Sequence, residues 1–257
     1  MRSRPALLAI VVILLLAVGG GAATWALFLR GDNVAPLSLP SRAPTSSSGS
    51  AAASPAAGAS GATTSLPPAS AAAVDAASMP GTWTIGADSV VGYRVRERLA
   101  SLSADSDAVG RTSTITGTAT IAASGGTLSV AAADFSVDMT TIKSDRQMRD
   151  NRLRNDGIQT DSFPTSTFKL TTPVALPAAA TTGAQVSVTL HGDLTLHGVT
   201  KTVDIPAKAQ LNGSLIQVVG SLDFPFSDFA INAPNIGGFV AVEDHGTLEF
   251  LVNLAKS

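Results

Sequence analysis

The chain has 257 residues, a net charge of −2 at pH 7 and no cysteine. A near-neutral chain without a basic stripe argues against nucleic acid as a partner. The lack of cysteine excludes disulfides, thiol catalysis, thiolate zinc sites and lipoprotein-type acylation.

No charged residue stands between Arg4 and Arg30, and an apolar run of about 25 residues at helical rise is long enough to cross a bilayer. Residues 1–30 therefore read as a cytoplasmic tip and a transmembrane helix. Arg2 and Arg4 mark the cytoplasmic side, Trp25 suits the outer interface, and the rest of the chain is extracytoplasmic. The small residues from Gly19 to Ala23 also fit a cleaved signal peptide, in which case the protein is secreted. Residues 31–80 are dominated by Ala, Ser, Gly, Pro and Thr and have almost nothing to bury, so they read as a disordered tether.

The globular domain spans 81–257, long enough for one sizeable core. GTWTI opens it. In VVGYRVRERL, Val91, Tyr93 and Val95 alternate with Arg94, Arg96 and Arg98, a strand with its cationic edge in water. Residues 101–109 read as a polar loop. Ile115, Gly117, Ala119 and Ile121 then share one face. In the next strand Leu128 and Val130 are even, whereas Phe135, Val137 and Met139 are odd, so a β-bulge is predicted near Ala131–Ala133.

SDRQMRDNRLRND, 144–156, is the one convincing helix. Ser144 and Gln147 have capping-box spacing, and Asp145/Arg149, Arg146/Asp150 and Asp150/Arg154 stand one turn apart. Its large apolar residues are Met148 and Leu153 alone, so it belongs on a surface or rim. FPTSTFKLTTPVAL follows, with Phe168, Leu170, Val174 and Leu176 on the even face.

From Val186 to Leu196 every even residue is apolar or glycine and every odd one polar. After His197-Gly198 the parity flips, with Val199, Val203, Ile205, Ala207, Ala209 and Leu211 on the apolar side. This is a hairpin whose two arms share one dry face. Ile216, Val218, Leu222, Phe224 and Phe226 mark a further strand, and Leu248, Phe250, Val252 and Leu254 the last. Seven or eight such strands with one short helix make a mainly β domain, an up-and-down antiparallel barrel or a sandwich. Phe135, Phe163, Phe168, Phe224, Phe226, Phe229 and Phe250 suit either a packed core or a ligand lumen. Small inward residues (Gly117, Ala119, Gly192, Ala207, Ala209 and Gly220) favour a middle that stays open.

Catalytic and metal chemistry find little support. His191 and His197 share a strand face roughly 20 Å apart at strand rise, too far to chelate one ion, and their outward parity places them in solvent, His197 bonding at its turn. His245 stands with Glu243 and Asp244 in a loop, where an acid–base trio is conceivable. No hydrolase elbow, phosphate loop or HExxH motif occurs.

Three segments resemble the YceI-like polyisoprenoid-binding family. In the first, 144–170, the resemblance is carried by Asp145, Arg146, Arg149, Asp150, Leu153, Arg154, Phe163, Pro164 and Phe168. GDLTLHGVTKTV, 192–203, is similar to the family's hairpin, and SDFAI, 227–231, resembles its Asp-Phe-Gly segment with Ala230 in the glycine's place. The resemblance implies a lipocalin-like barrel holding an isoprenoid lipid, quinone or polyprenyl in type, for transport, storage or stress protection, with no catalytic residues, metal or catalytic cofactor. The expected lumen residues are Tyr93, Val95, Ile115, Ala119, Phe135, Val137, Met139, Phe163, Phe168, Leu170, Leu194, Leu196, Val203, Ile205, Val218, Leu222, Phe224, Phe226, Phe229 and Phe250, with Arg149 and Arg154 at the mouth for a polar headgroup. A second copy of the chain and a membrane redox or lipid-handling protein stand open as partners. An enzyme acting on a small lipophilic substrate, with Glu243–His245 as its handle, and a surface interaction module with a filled core are the alternatives.

Overall fold

The computed structural model describes residues 34–40, 76–99, 105–233, 235–236 and 240–257. The expected membrane helix and most of the expected tether lie outside the described residues. Among those described, no helix is long and apolar enough to cross a membrane.

The strands, in chain order, are β1 (Gly81–Ile85), β2 (Val90–Leu99), β3 (Ser106–Thr112), β4 (Ile115–Ser124), β5 (Thr127–Asp138), β6 (Lys143–Ser144), β7 (Thr165–Leu170), β8 (Val174–Leu176), β9 (Val186–Leu196), β10 (Val199–Asn212), β11 (Leu215–Pro225), β12 (Asn235–Ile236), β13 (Val240–Val242) and β14 (His245–Lys256). Helix α1 (Gln147–Asn155) lies between β6 and β7. Eight strands close a ring in the order β1, β4, β5, β7, β9, β10, β11, β14 and back to β1, with every pairing antiparallel. Closure removes the free edges that an open sheet of such strands would expose.

The period-2 pattern fixes which face is inside. Val186, Gly192, Leu194 and Leu196 of β9 are buried while Ser187 and Thr189 are exposed, and β10 repeats this with Ile205, Ala207 and Leu211 inside. The turn between them has φ 51° at His197 and 73° at Gly198, the two left-handed residues of a type I′ turn whose twist matches its strands. The bulge is where the parity slip predicts it: Thr120 pairs with Ala132 but Ile121 with Val130, which leaves Ala131 as the extra residue.

The expected polar loop at 101–109 is a correction. From Ser106 onward it is β3, paired with β2 from Glu97↔Ser106 to Val91↔Thr112, and Ala108 and Val109 are buried. Its sequence lacks an alternating apolar face, so its strand state comes from the edge that β2 offers it, not from local preference.

This insertion makes the two ends of the barrel unlike. At one end β1 joins β14 to β4 and closes the ring. At the other end β14 pairs with β2 and β2 with β3, and among the described residues β3 pairs onward only with β6, making no ladder with β4. A seam therefore remains between β3 and β4. Thr112, the last residue of β3, is tied instead to Thr141 in the turn after β5, their hydroxyls 2.6 Å apart, and α1 begins two residues after β6.

Two pieces of the expected tether lie against the barrel. Met79 is buried, and its carbonyl accepts the Trp83 indole N–H at 3.0 Å. Leu39 is buried as well, and the carbonyls of Val34 and Ala35 accept from Arg94 and Arg111, each at 2.8 Å. Arg94 was expected in water, yet its side chain is only 15% exposed: it pairs with Asp107 at 3.1 Å and with buried Glu249 at 3.5 Å. Arg111 reaches the same Glu249 at 2.7 Å.

Candidate functional site

The barrel encloses a cavity of about 200 Å³ with an almost wholly apolar wall. Met79, Val186, Leu211, Ile216 and Leu254 line it at the β1-closed end, and Tyr93, Ile115, Met139, Ile142 and Ile158 at the α1 end. Of the expected lumen residues, Tyr93, Ile115, Ala119, Phe135, Val137, Met139, Phe168, Leu170, Leu194, Leu196, Ile205, Val218, Phe224 and Phe250 are on its wall.

Six others are not. Phe226 and Phe229 are buried in an apolar cluster at the α1 end, joined to one short turn, with Phe224 packed edge-on to both at centroid distances of 6.2 and 5.1 Å. Val95, Val203 and Leu222 pack beside that cluster rather than on the wall. Phe163 lies edge-on to His197, ring centroids 4.3 Å apart. Parity identifies the inward face of a strand, but not which inward residues meet neighbours at the barrel's end.

The reading of the glycines also needs correction, because they are seats for rings. A Cβ at Gly220 would stand 2.5 Å from Cζ of Phe250, and one at Gly192 2.5 Å from Cζ of Phe168. One at Gly117 would stand 2.6 Å from Cδ1 of Phe135. Each phenyl ring thus rests over a bare stretch of neighbouring strand. The middle is open because the rings lie against the wall, and the glycines act through their aromatic partners.

Sequence reasoning missed Met79, which reaches the wall from the segment before β1, and Ile142, Ile158 and Ala180, which reach it from connections between strands. Isolated large apolar residues such as Ile142 and Ile158 in polar stretches were the available signal. Val130, Val186, Leu248 and Val252 were read as inward but not as lumen, and they line the cavity too.

Helix α1 is a rim element, as its composition implies, with no buried residue and Met148 82% exposed. The capping box does not form. The residue before the helix is Arg146, with no side-chain cap, and Ser144 gives both its N–H (2.9 Å) and its hydroxyl (2.6 Å) to the Asp150 carboxylate. Asp150 is therefore taken by the strand before the helix, so neither Arg146 nor Arg154 pairs with it. Arg146 turns to Asp145 at 3.6 Å and Arg154 to Asp161 at 3.8 Å. Arg149 pairs with Asp145, as spacing predicts, and with buried Glu97 at 2.6 Å. Two carboxylates thus hold Arg149.

Tyr93 is on β2, opposite Leu248 of β14 on one side. It is in register with Gly110 of β3, and a Cβ at Gly110 would lie 2.3 Å from its Cε1 and 2.9 Å from its hydroxyl. The hydroxyl is buried without a hydrogen-bond partner among the described residues. Burial is the main cause pushing its pKa up. Arg149 opposes this, while Asp150, Glu97 and Asp145 add to it. The hydroxyl therefore stays protonated and acts as a donor.

The histidines are dispersed. His191 binds Asp204 at 2.6 Å on the exposed face. His197, expected in solvent, is half-buried: its Nδ1–H donates to the Phe229 carbonyl at 3.0 Å, and its Nε2 is buried without a partner among the described residues. That bond ties the turn to the Phe226–Phe229 segment. His245 meets Asp244 at 2.9 Å and Glu243 at 3.4 Å, so the trio does assemble, but it is exposed and none of the three lines the cavity. The Asp244 bond, then the nearby Glu243, raises the His245 pKa above its ordinary value. Among the described residues no group of three or more His, Asp or Glu side chains could hold a metal ion.

A family model described as YceI-like domain matches residues 83–254. No curated protein matches the chain. Among solved structures, one described as a polyisoprenoid binding domain from Saccharophagus degradans implicated in plant cell wall breakdown is similar at 16% identity and TM-score 0.51, covering 69% of this chain and 99% of that one. BcnA of Burkholderia cenocepacia follows at 17% identity and TM-score 0.49, covering 66% of this chain and 98% of its own.

Proposed function

Because the chain belongs to the YceI-like family, we propose that it is a binding protein that holds a long isoprenoid lipid, quinone or polyprenyl in type, in the barrel lumen, and that it performs no catalysis on it. The observation that carries this is the cavity: about 200 Å³, apolar from the β1-closed end to α1, inside a closed barrel. Such a space recognises a chain by burial, at about 0.8 kcal/mol for each CH₂ removed from water before the costs of association. The polyisoprenoid binding domain from Saccharophagus degradans supports the same ligand class.

The apolar run before Arg30 supports a membrane-tethered protein with its barrel outside the cytoplasm. There it would carry, store or protect the lipid. Native mass spectrometry of the full-length chain, taken from membranes in mild detergent, tests the reading. The expected result is a bound lipid whose mass fits an isoprenoid series. A protein that neither retains such a lipid nor takes one up from mixed vesicles would overturn it.

A further inference from the structure

We infer that residues 34–40 are a clasp: they dock on the outer face of the barrel, where β14, β2 and β3 run side by side, and hold that face close to the end of the apolar run, so that the stretch after them does not set how far the barrel stands from the membrane. The membrane part rests on the proposed anchor; the docking does not.

Composition already singles out the segment. Between residues 31 and 75 the large apolar side chains are Val34, Leu37, Leu39, Leu66 and Val74, so three of the five fall within VAPLSLP. Leu39 is 7% exposed, and Val34 and Leu37 are partly buried, whereas Ala35, Pro36, Ser38 and Pro40 face water. Pro36 and Pro40 fix φ at two positions, which lowers the entropy lost on docking.

The surface beneath it is preorganised. Arg94 of β2 and Arg111 of β3 donate to the carbonyls of consecutive residues, Val34 and Ala35, each at 2.8 Å. Both guanidiniums are held in place by Glu249 of β14, which is 3% exposed and lies 2.7 Å from Arg111 and 3.5 Å from Arg94. Asp107 fixes Arg94 further, at 3.1 Å. The site thus takes main chain through two charge-assisted hydrogen bonds and one side chain, Leu39, through burial. A run of Ala, Ser and Gly offers the carbonyls but nothing to bury.

The lengths show what the docking does. Four residues, 30–33, stand between the apolar run and Val34, so Leu29 and Val34 are at most about 17 Å apart. A free coil over residues 30–80 would instead span about 40 Å. The clasp replaces a long leash with a short one and keeps the β2–β3 side of the barrel next to the bilayer.

The test uses the full-length chain, which has no cysteine of its own to interfere with labelling. Ser38 and Ser187, the latter on β9, are both exposed. Spin labels at Ser38→Cys and Ser187→Cys in detergent should give one narrow distance, which Leu39→Asp broadens. In vesicles, energy transfer from a dye at Ser187→Cys to acceptor-labelled headgroups should fall when about twenty Gly/Ser residues are inserted between Asn33 and Val34, the barrel moving out by about 10 Å. The same insertion between Ser50 and Ala51 should leave the transfer unchanged. A broad distance in the native sequence, or an equal response to the two insertions, overturns the clasp and leaves the membrane reading standing. A narrow distance in a chain that vesicles do not retain supports the docking but overturns the anchor, and the short leash with it.

Discussion

If the lumen is open because rings rest on glycines, adding one methyl group to a glycine should close part of it. Gly220 is the best place to try: its φ is not in the left-handed region, so alanine there is opposed by space and not by backbone strain. The new Cβ would lie 2.5 Å from Cζ and 2.8 Å from Cε1 of Phe250, and 3.0 Å from the Pro206 carbonyl oxygen. Pro206 belongs to the β9–β10 ladder, so the ring is what moves, and the cavity is the space beside it. Overpacking of this kind costs about 1–3 kcal/mol, a fall in Tm of about 2–12 °C for a domain of this size. A phenyl ring pushed inward displaces several ligand carbons. Losing two or three buried CH₂ groups at about 0.8 kcal/mol each weakens lipid binding by about 30-fold. Calorimetric melting and titration with an isoprenoid hydrocarbon measure both effects. Gly220→Ala with Phe250→Leu should recover much of the binding, since the shorter side chain clears the added methyl group. Wild-type affinity and Tm in Gly220→Ala, or a double variant that binds no better than the single one, would refute the view that glycine seats keep the lumen open.

Other substitutions probe separate parts of the molecule. Ala230 ends the Phe226–Phe229 turn at φ 52°, so Ala230→Gly should raise stability by about 0.5–1 kcal/mol, the left-handed strain relieved less the entropy glycine adds, seen as a higher urea midpoint. Glu249→Gln removes the buried charge that Arg94 and Arg111 share and should destabilise by about 2–4 kcal/mol. It should also loosen Val34–Pro40, detected as faster amide exchange there. His245 should titrate above its ordinary value because of Asp244, and Asp244→Asn should lower that midpoint, as followed by imidazole proton NMR. A raised folded pKa places any stabilisation from this pair below the unfolded histidine's pKa and removes it as pH rises through the folded one.

The strand parities told most of the story before any coordinates. The hairpin of β9 and β10, its I′ turn, the bulge at Ala131 and the inward faces of β11 and β14 follow from local pattern, because alternation is set by pleat geometry and the buried face must be apolar. The surface position of the helix was legible from its composition, since a helix with so little apolar surface has little to bury, and only Leu153 packs against an apolar cluster. Its ionic partners were not. Asp150 had two arginines at helical spacing, and what it holds is Ser144, on the strand before the helix.

What the tertiary structure alone decided are the relations between one strand and another. That Gly220 faces Phe250 and Gly110 faces Tyr93 depends on register, and register turns a small residue from a gap in the wall into the seat of a ring. The strand state of Ser106–Thr112, the burial of Glu249 beneath two arginines and the unpaired hydroxyl of Tyr93 arise in the same way. A sequence fixes the face on which a side chain emerges through its immediate neighbours, but what that side chain meets is settled by the register of strand pairing and by closure of the ring, which brings Glu249 to Arg94 and Arg111 from more than a hundred residues away.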